Sequence, residues 1–364
     1  MPVKQVGQTN NSDGAVQFRK PKIRTMEDLS HAIGISRPTL SKYFRDADSV
    51  RKNTRLRIEA ALETVDYVPN FFATKMNRKS TGLIGVIVHH LNDMFISSLI
   101  EAIEARALTK DYMVITQNSN GDPAVEAEAV QNLMSMSADG VIVAPLGERS
   151  SIAAIRRLKD ALPVVFVDSR FPDEFQDVDF VGTNNTQSIS VIIDYLCRSG
   201  EPPVFLPMPP LNSNGPEREQ AYRTHMQKLG FSPEVISTGD TPSTWKFEEF
   251  AYEIMDAHFN RGKFVDRTIL CANDLLAFGA IRAANNHKLF SSRDGEGARF
   301  RIAGHDDHPL SAYMQPGLTT VVQKTTEIGK AAVDQVFDQM QRGKRNGEGV
   351  ERTFDAELRL RNSA

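Results

Sequence analysis

Arg37, Thr39, Ser41 and Lys42 fall on the polar side of one short amphipathic stretch, where they offer a guanidinium, an ammonium and two hydroxyls. Cations so placed can donate to guanine O6 and N7, and hydroxyls can hold phosphate oxygens. A second set of polar residues stands far downstream. Asp168 follows the β-branched run Val164–Val167, Asn273 and Asp274 follow Ile269–Cys271, and Asp306 follows Arg301–Gly304. Ligands of parallel α/β sheets bind beyond the carboxyl ends of the strands, so polar residues immediately after strands are placed to reach them. Asp and Asn in that position also cap the next helix. For Asp274 the capping role is the one expected.

The first set needs a frame, and residues 25–77 supply it. Thr25 and Asp28, three apart, read as a capping pair for a helix to about Ile33, with Leu29, Ala32 and Ile33 as its apolar side. Gly34 is the natural stop, since glycine tolerates positive φ. Ile35 plugs the corner. Ser36 suits the N-cap of a second helix, and Pro38 fits in its first turn. Leu40, Tyr43 and Phe44 then face inward. A third helix from about Thr54 to Val65 buries Ile58, Leu62 and Val65 at helical spacing, and a short one starts after Pro69. That order lays one helix in a major groove and a second element in the adjacent minor groove. Charge agrees with it. Residues 1–80 hold 15 Lys and Arg against 8 Asp and Glu, a balance of +7, while the rest hold 28 against 38, a balance of −10. A basic head on an acidic body concentrates phosphate affinity in the head.

From Leu83 the chain alternates β-branched runs with amphipathic stretches. Strands are expected at Leu83–Val88, Tyr112–Thr116, Gly140–Ala144, Val164–Val167, Val204–Leu206, Thr268–Cys271 and Arg301–Gly304, with a last one at Phe354–Leu360. This βαβ pattern predicts parallel sheets covered by helices. A chain of 364 residues with 40% hydrophobic residues can bury such cores. No run of 18 apolar residues predicts a membrane span, and the polar start predicts no secretory signal but a flexible tail over residues 1–22. Cys197 and Cys271 form no CxxC and predict two unpaired thiols. No phosphate-binding loop, dinucleotide fingerprint, nucleophile elbow or zinc-protease motif appears, so no enzymatic activity, cofactor or metal is expected. His89-His90 read as the end of the first core strand.

Four motifs in order carry a resemblance: Thr25-Met26-Glu27-Asp28-Leu29, Gly34-Ile35-Ser36 with Thr39-Leu40-Ser41, Tyr67-Val68-Pro69-Asn70, and Ile84-Gly85-Val86-Ile87. With Ala138-Asp139-Gly140, Ala272-Asn273-Asp274 and Leu318-Thr319-Thr320-Val321 further on, nearly the whole chain resembles the LacI-type (lactose/galactose repressor) family. The resemblance implies a flexible tail (1–22), a helix-turn-helix head (23–69), a hinge helix and linker (70–80), and a core (81–364) of the periplasmic-binding-protein type. That α/β core has two subdomains joined by three crossovers, implied near Arg170 to Val181, near Asp306 to Leu318, and after the helix of Glu327 to Met340.

By the same resemblance Arg37, Pro38 and Lys42 address base edges. Ser36, Thr39 and Ser41 are phosphate contacts that set register, Thr25 also belongs to the DNA-binding set, and Asn70, Ala73 and Met76 belong to the hinge, with Met76 where the family usually has a Leu wedge. Asp168, Arg218, Asn273 and Asp306 reach the effector, Arg218 standing in Glu217-Arg218-Glu219-Gln220-Ala221-Tyr222. Phe95 matches a cleft position, and Trp245 is a looser match. Two carboxylates, an amide and a guanidinium suit a polyhydroxy ligand, and aromatic rings its apolar half.

The function implied is a ligand-responsive transcription regulator, most simply a repressor. It would act in the cytoplasm as a homodimer on a pseudo-palindromic operator, because two heads must meet two half-sites. No heptad-bearing tail follows Leu360, so a tetramer is not expected. The effector is a sugar or polyol, or alternatively a purine-like corepressor. A solute-binding protein would share residues 81–364 but need a signal peptide and no head. The chain departs from the family at Gly200-Glu201-Pro202-Pro203, at Ser291 to Ala298, and at His305, where an aromatic usually precedes Asp306.

Overall fold

The computed structural model describes residues 21–70, 80–147, 151–171, 173–239, 244–290, 300–343 and 347–364. The chain divides into two compact units, Met1–Thr81 and Gly82–Ala364.

In the first unit, α1 (Met26–Ile33) starts where expected. The Thr25 hydroxyl accepts from the Asp28 N–H at 3.0 Å and donates to the Asp28 carboxylate at 2.6 Å. Gly34, at φ +64°, ends the helix, and its N–H donates to the Ser30 carbonyl. Ser36 stands at the N-cap of α2 (Arg37–Arg45), but its side chain caps no backbone N–H; the hydroxyl lies 2.8 Å from that of Thr39. α3 spans Lys52–Leu62, two residues ahead of expectation at its start and three short at its end. Leu29, Ile35, Leu40, Ile58 and Val65 form the core of this unit, with Tyr43, Phe44 and Leu62 packed against it. One pairing was not foreseen: β1 (Lys22–Ile23) runs parallel to β2 (Asp66–Tyr67). Lys22, assigned to the tail, is therefore part of the fold. Residues 71–79 lie outside the described residues, and with them most of the expected hinge helix, including Ala73 and Met76.

The second unit holds two α/β layers. β3 (Leu83–Val88), β4 (Met113–Asn118), β5 (Gly140–Val143), β6 (Val164–Val167), β7 (Asp179–Thr183) and β12 (Glu351–Phe354) make a parallel six-stranded sheet in the order β12-β7-β6-β5-β3-β4. Helices α4 (Met94–Leu108), α5 (Pro123–Ser135), α6 (Ile152–Ala161) and α11 (Thr325–Arg342) belong to this layer. Separate apolar clusters fill its two faces, one around Ile84, Val86 and Ile142, the other around Ile87, Val141 and Phe166, because alternate residues of a strand point to opposite sides.

The second layer is smaller. β8 (Val204–Leu206), β9 (Thr268–Cys271) and β10 (Arg301–Ala303) are parallel, while β11 (Thr320–Val322) pairs antiparallel with β13 (Glu357–Arg359). Helices α7 (Asn185–Ser199), α8 (Asn214–Lys228), α9 (Phe247–Phe259) and α10 (Asp274–Asn286) surround one core that includes Phe205, Tyr222 and Ile269. Where α9 and α10 meet, Gly279 is required: a Cβ there would sit 2.1 Å from the Glu248 carbonyl oxygen.

The first two crossovers fall elsewhere than the resemblance implied, while the third follows the helix of Glu327 to Met340 as implied. Residues 179–183 are a strand of the first sheet, so the first crossing comes after Thr183. Asp179 and Gly182 weaken its strand signature; Gly182 is needed because a Cβ there would meet the Phe180 ring at 2.5 Å. The second crossing lies between β11 and α11, at Gln323-Lys324, and not at Asp306 to Leu318. The single strand expected at Phe354–Leu360 is two, β12 in the first sheet and β13 in the second, and the third crossing is the Asp355-Ala356 break between them. The three crossings are hydrogen-bonded together: the Thr183 hydroxyl donates to the Gln323 side-chain oxygen Oε1, and the Asn184 amide donates to the Asp355 carboxylate at 2.9 Å. The Gln187 side chain clamps the backbone of Ala356 through two bonds of 2.8 and 3.1 Å.

Candidate functional site

On the first unit, α2 presents Arg37, Pro38, Ser41 and Lys42 to solvent; Thr39 is half-buried and Thr25, Ser36 and Asn70 are exposed. Leu40 anchors the opposite side in the core, which fixes which side faces out. A shallow depression runs along Pro38, Thr39 and Lys42 and continues to Arg51 and Thr54 at the start of α3. Arg51 was not singled out from the sequence, although the Arg51-Lys52 pair signalled a basic helix start. The face is cationic, hydroxyl-rich and open.

In the second unit the structure brings Asp168, Arg218 and Asp306 together. Asp168 sits directly after β6, Asp306 three residues after β10, and Arg218 one turn into α8. Both acids have positive φ, +65° and +133°, a backbone region that side-chain-bearing residues rarely enter and that recurs at ligand sites. Arg218 is buried. Its guanidinium donates to Asn185 Oδ1 at 3.0 Å, to the Ala272 carbonyl at 2.8 Å and to Asp306 Oδ1 at 3.4 Å. The Asn185 amide donates to Asn214 Oδ1 at 3.0 Å and to Glu217 Oε2 at 2.8 Å, and the Asn214 amide donates to Asp168 Oδ1 at 3.1 Å. Gln323, on the second crossing, donates to Asp306 at 2.7 Å. One polar chain therefore links the carboxylates to two crossings.

Asn273, expected to reach the effector, takes the capping role expected of Asp274, and Asp274 is buried in a structural role. Asn273 is the N-cap of α10, its side chain accepting from the Leu276 N–H at 2.8 Å. Asp274 is fully buried and holds the segment that leads into β11. It accepts from the His308 N–H at 2.8 Å and from the Ser311 and Thr320 hydroxyls at 2.6 Å each. Phe95 is buried in the apolar cluster of the first sheet, among Val86, Val88 and Ile96. Trp245 lies flat on His89, with ring centroids 4.3 Å apart and planes 19° from parallel, and it also contacts His90. Gly121, at φ +71°, makes room for the indole; a Cβ there would sit 2.2 Å from Trp245 Nε1.

His89, Asp93, Asn185, Asn214, His305 and Gln323 were missed as members. Asn185 and Gln323 each follow a strand, the signal used for the others, but β7 and β11 were not recognised as strands. His305 is buried, with one nitrogen 3.0 Å from Asp306 Oδ1 and the other 2.8 Å from the Ser188 hydroxyl. Burial first, and then the Arg218 charge, hold its pKa well below the usual value, so it stays neutral. Beside this network, a cavity of about 730 Å³ is lined by Arg170, Thr183, Asn185, Asn212, Glu217 and Glu351.

Burial raises Asp93 to about 6, helped by the Asp306 and Asp168 charges and opposed by His89 and by the Phe95 N–H. A carboxyl whose folded pKa lies above its unfolded value binds more protons in the folded state, so its contribution to stability is lost as pH rises through the folded pKa. Asn caps a helix as well as Asp does. Asp93→Asn is therefore expected to stabilise the protein most at pH 8, by roughly half as much at pH 5, and to give little or no gain below about pH 4, under the unfolded value. Paired urea titrations across that range, with His89, Asp168, Asp306 and His308 intact, measure the difference. A gain of equal size at both ends would contradict the raised pKa.

With this geometry in view, the likeness to known proteins is informative. Residues 25–70 match the family described as bacterial regulatory proteins, lacI family, and residues 84–345 match the periplasmic binding protein domain family. The chain is 26% identical to the HTH-type transcriptional repressor CytR of Escherichia coli, over 93% of this chain and 96% of that protein. It is 25% identical to the probable HTH-type transcriptional regulator EndR of Paenibacillus polymyxa, over 85% of this chain and 88% of that protein. Among solved structures, the lac repressor dimer bound to operator and the anti-inducer ONPF superposes with a TM-score of 0.76 at 23% identity, covering 93% of this chain and 98% of the other.

Proposed function

We infer the function from family membership: the chain belongs to the LacI family of bacterial regulatory proteins, with the periplasmic-binding-protein core of that family. It is a ligand-responsive, DNA-binding transcriptional repressor. The observation that carries this reading is the presence in one chain of a helix-turn-helix unit with Arg37 and Lys42 outward and an α/β core whose polar network joins Asp168 and Asp306 to the crossings.

Two copies bind a pseudo-palindromic operator, as the solved lac repressor is described as a dimer on its operator. Arg37 and Lys42 read base edges, Pro38 gives an apolar or silent position, and Thr25, Ser36, Thr39 and Ser41 set register on phosphates. Asn70, Ala73 and Met76 act at the minor groove. The effector, a sugar or polyol, is held by Asp168, Arg218 and Asp306, with Trp245 as the aromatic platform; Phe95 and Asn273 support the site from the core and from the α10 cap. Closure of the subdomains repositions the crossings and, through residues 70–80, the heads. No catalytic step is assigned, and no helix among the described residues is long and apolar enough to cross a membrane. A protein acting on chromosomal DNA works in the cytoplasm.

Selection of bound sites from randomised duplexes tests the DNA half and should return an inverted repeat. Arg37→Ala is expected to cost about 1–3 kcal/mol of operator affinity and to relax one base position in each half-site. Unchanged preference at every position would remove Arg37 from base readout. A thermal-shift screen against sugars and polyols, followed by operator titration with and without each hit, tests the ligand half.

A further inference from the structure

The acceptors of the cleft outnumber its cations. Asp93, Asp168 and Asp306 belong to one electrostatic cluster, each acid carrying through space to the next. Among the described residues, Arg218 is the guanidinium bonded into it, and its bonds go to Asn185, the Ala272 carbonyl and Asp306. Among the described residues, neither Asp93 nor Asp168 has a Lys or Arg partner. Asp93 accepts from the Phe95 N–H at 2.9 Å, and Asp168 from the Asn214 amide at 3.1 Å. His305 is committed to Asp306 and Ser188, and His308 Nδ1 accepts from the Leu310 N–H.

A second, independent feature points into the same place. His89 is 97% buried by its 3% residual exposure, and neither of its ring nitrogens has a hydrogen-bond partner. Its Nε2 faces Asp168 Oδ2 across 3.8 Å, too far for a direct bond. The indole N–H of Trp245, stacked on the same ring, is also buried without a partner. Buried polar atoms are nearly always satisfied, so atoms left open beside acids held at positive φ mark a place meant for something else.

Resting on the reading of this cleft as the effector site, we propose that its ligand carries a protonated amine together with hydroxyls, as an amino sugar does. The amine answers Asp93 and Asp168. Hydroxyls take the remaining carboxylate lone pairs, and one of them meets the His89 nitrogen. A neutral sugar supplies the hydroxyl donors but leaves Asp93 and Asp168 without a Lys or Arg countercharge in a poorly solvated site, where that is costly. The sugar's apolar face lies against the Trp245 ring.

Calorimetry on the full chain at pH 7.5 with matched pairs decides the matter: glucose against glucosamine, and galactose against galactosamine. The amine of at least one pair is expected to bind ten-fold or more tightly than its neutral partner. Asp93→Asn and Asp168→Asn should each shrink that preference toward unity. Both substitutions suit their positions, since Asn caps helices and tolerates positive φ, so the variants stay folded. A neutral sugar that binds as tightly as its amine overturns the charge proposal and leaves the effector cleft standing. A preference for the amine that survives in both variants places the cation elsewhere and also overturns it. Saturable binding by no member of either pair counts against the cleft reading and the proposal together.

Discussion

Arg218→Ala is expected to lower the stability of the protein by about 3–5 kcal/mol, the usual cost of stripping one partner from a buried ion pair. The substitution leaves Asp306 buried without its cation and removes the donors to Asn185 and to the Ala272 carbonyl. All three partners follow strands or crossings of the second layer, so the loss is a loss of fold as well as of ligand contact. Urea unfolding should show the midpoint falling with an unchanged slope. Asp306→Asn keeps an acceptor for Gln323 and for Arg218, and should fold while losing response to the effector. If Arg218→Ala unfolded within about 1 kcal/mol of wild type, the guanidinium would be a ligand contact only.

Gly279→Ala is expected to cost about 3 kcal/mol, the upper end of what overpacking usually costs. The added carbon would meet the Glu248 carbonyl oxygen at 2.1 Å and the Tyr252 nitrogen at 2.8 Å, both backbone atoms of α9 that cannot turn aside. The helices must separate, and α10 carries Asn273 and Asp274 at its start. Gly85→Ala is the control. There the clash is with the Leu133 side chain at 2.5 Å, which can change rotamer, so a smaller loss is expected. Thermal unfolding of the two variants side by side tests this, and equal losses would mean that the approach of α9 and α10 is not what Gly279 serves.

Much of the fold could be read because its signals are local. Thr25-Asp28, Gly34 and the apolar spacing of Leu29, Leu40 and Ile58 place the head helices within a few residues. Hydrophobic runs such as Leu83–Val88 and Val164–Val167 announce buried parallel strands without help from partners. β1 and β2 escaped because two-residue strands have no periodicity, and β7 because Asp179 and Gly182 interrupt its run. Phe354 to Leu360 read as one strand since nothing local says that Asp355 changes sheet; the cause is a bond to Asn184, 171 residues away. The rule of polar residues after strands picked out Asp168 and Asp306, which the fold joins to Arg218 in one polar chain. The site was not legible for His89 or Asn214, whose roles depend on which rings and amides the tertiary fold sets beside them. Asn273 and Asp274 show the limit of that rule, which finds the position but not which of two neighbours turns into the helix.

The three crossings also set the order in which the molecule can be completed. A chain leaving the ribosome has five strands of the first sheet by Thr183, yet β7 then stands as an open edge. Its partner strand begins near Val350, whose N–H donates to Asp179, 171 residues earlier in the chain. The helix that covers one face of that sheet arrives late as well; Arg106 waits for Asp334, 228 residues on. An uncovered face and an unpaired edge are what make partly made chains associate wrongly, and contacts this distant in sequence form slowly. The same threading that brings the three crossings together therefore delays completion of the first subdomain until β12 and the helix before it are available.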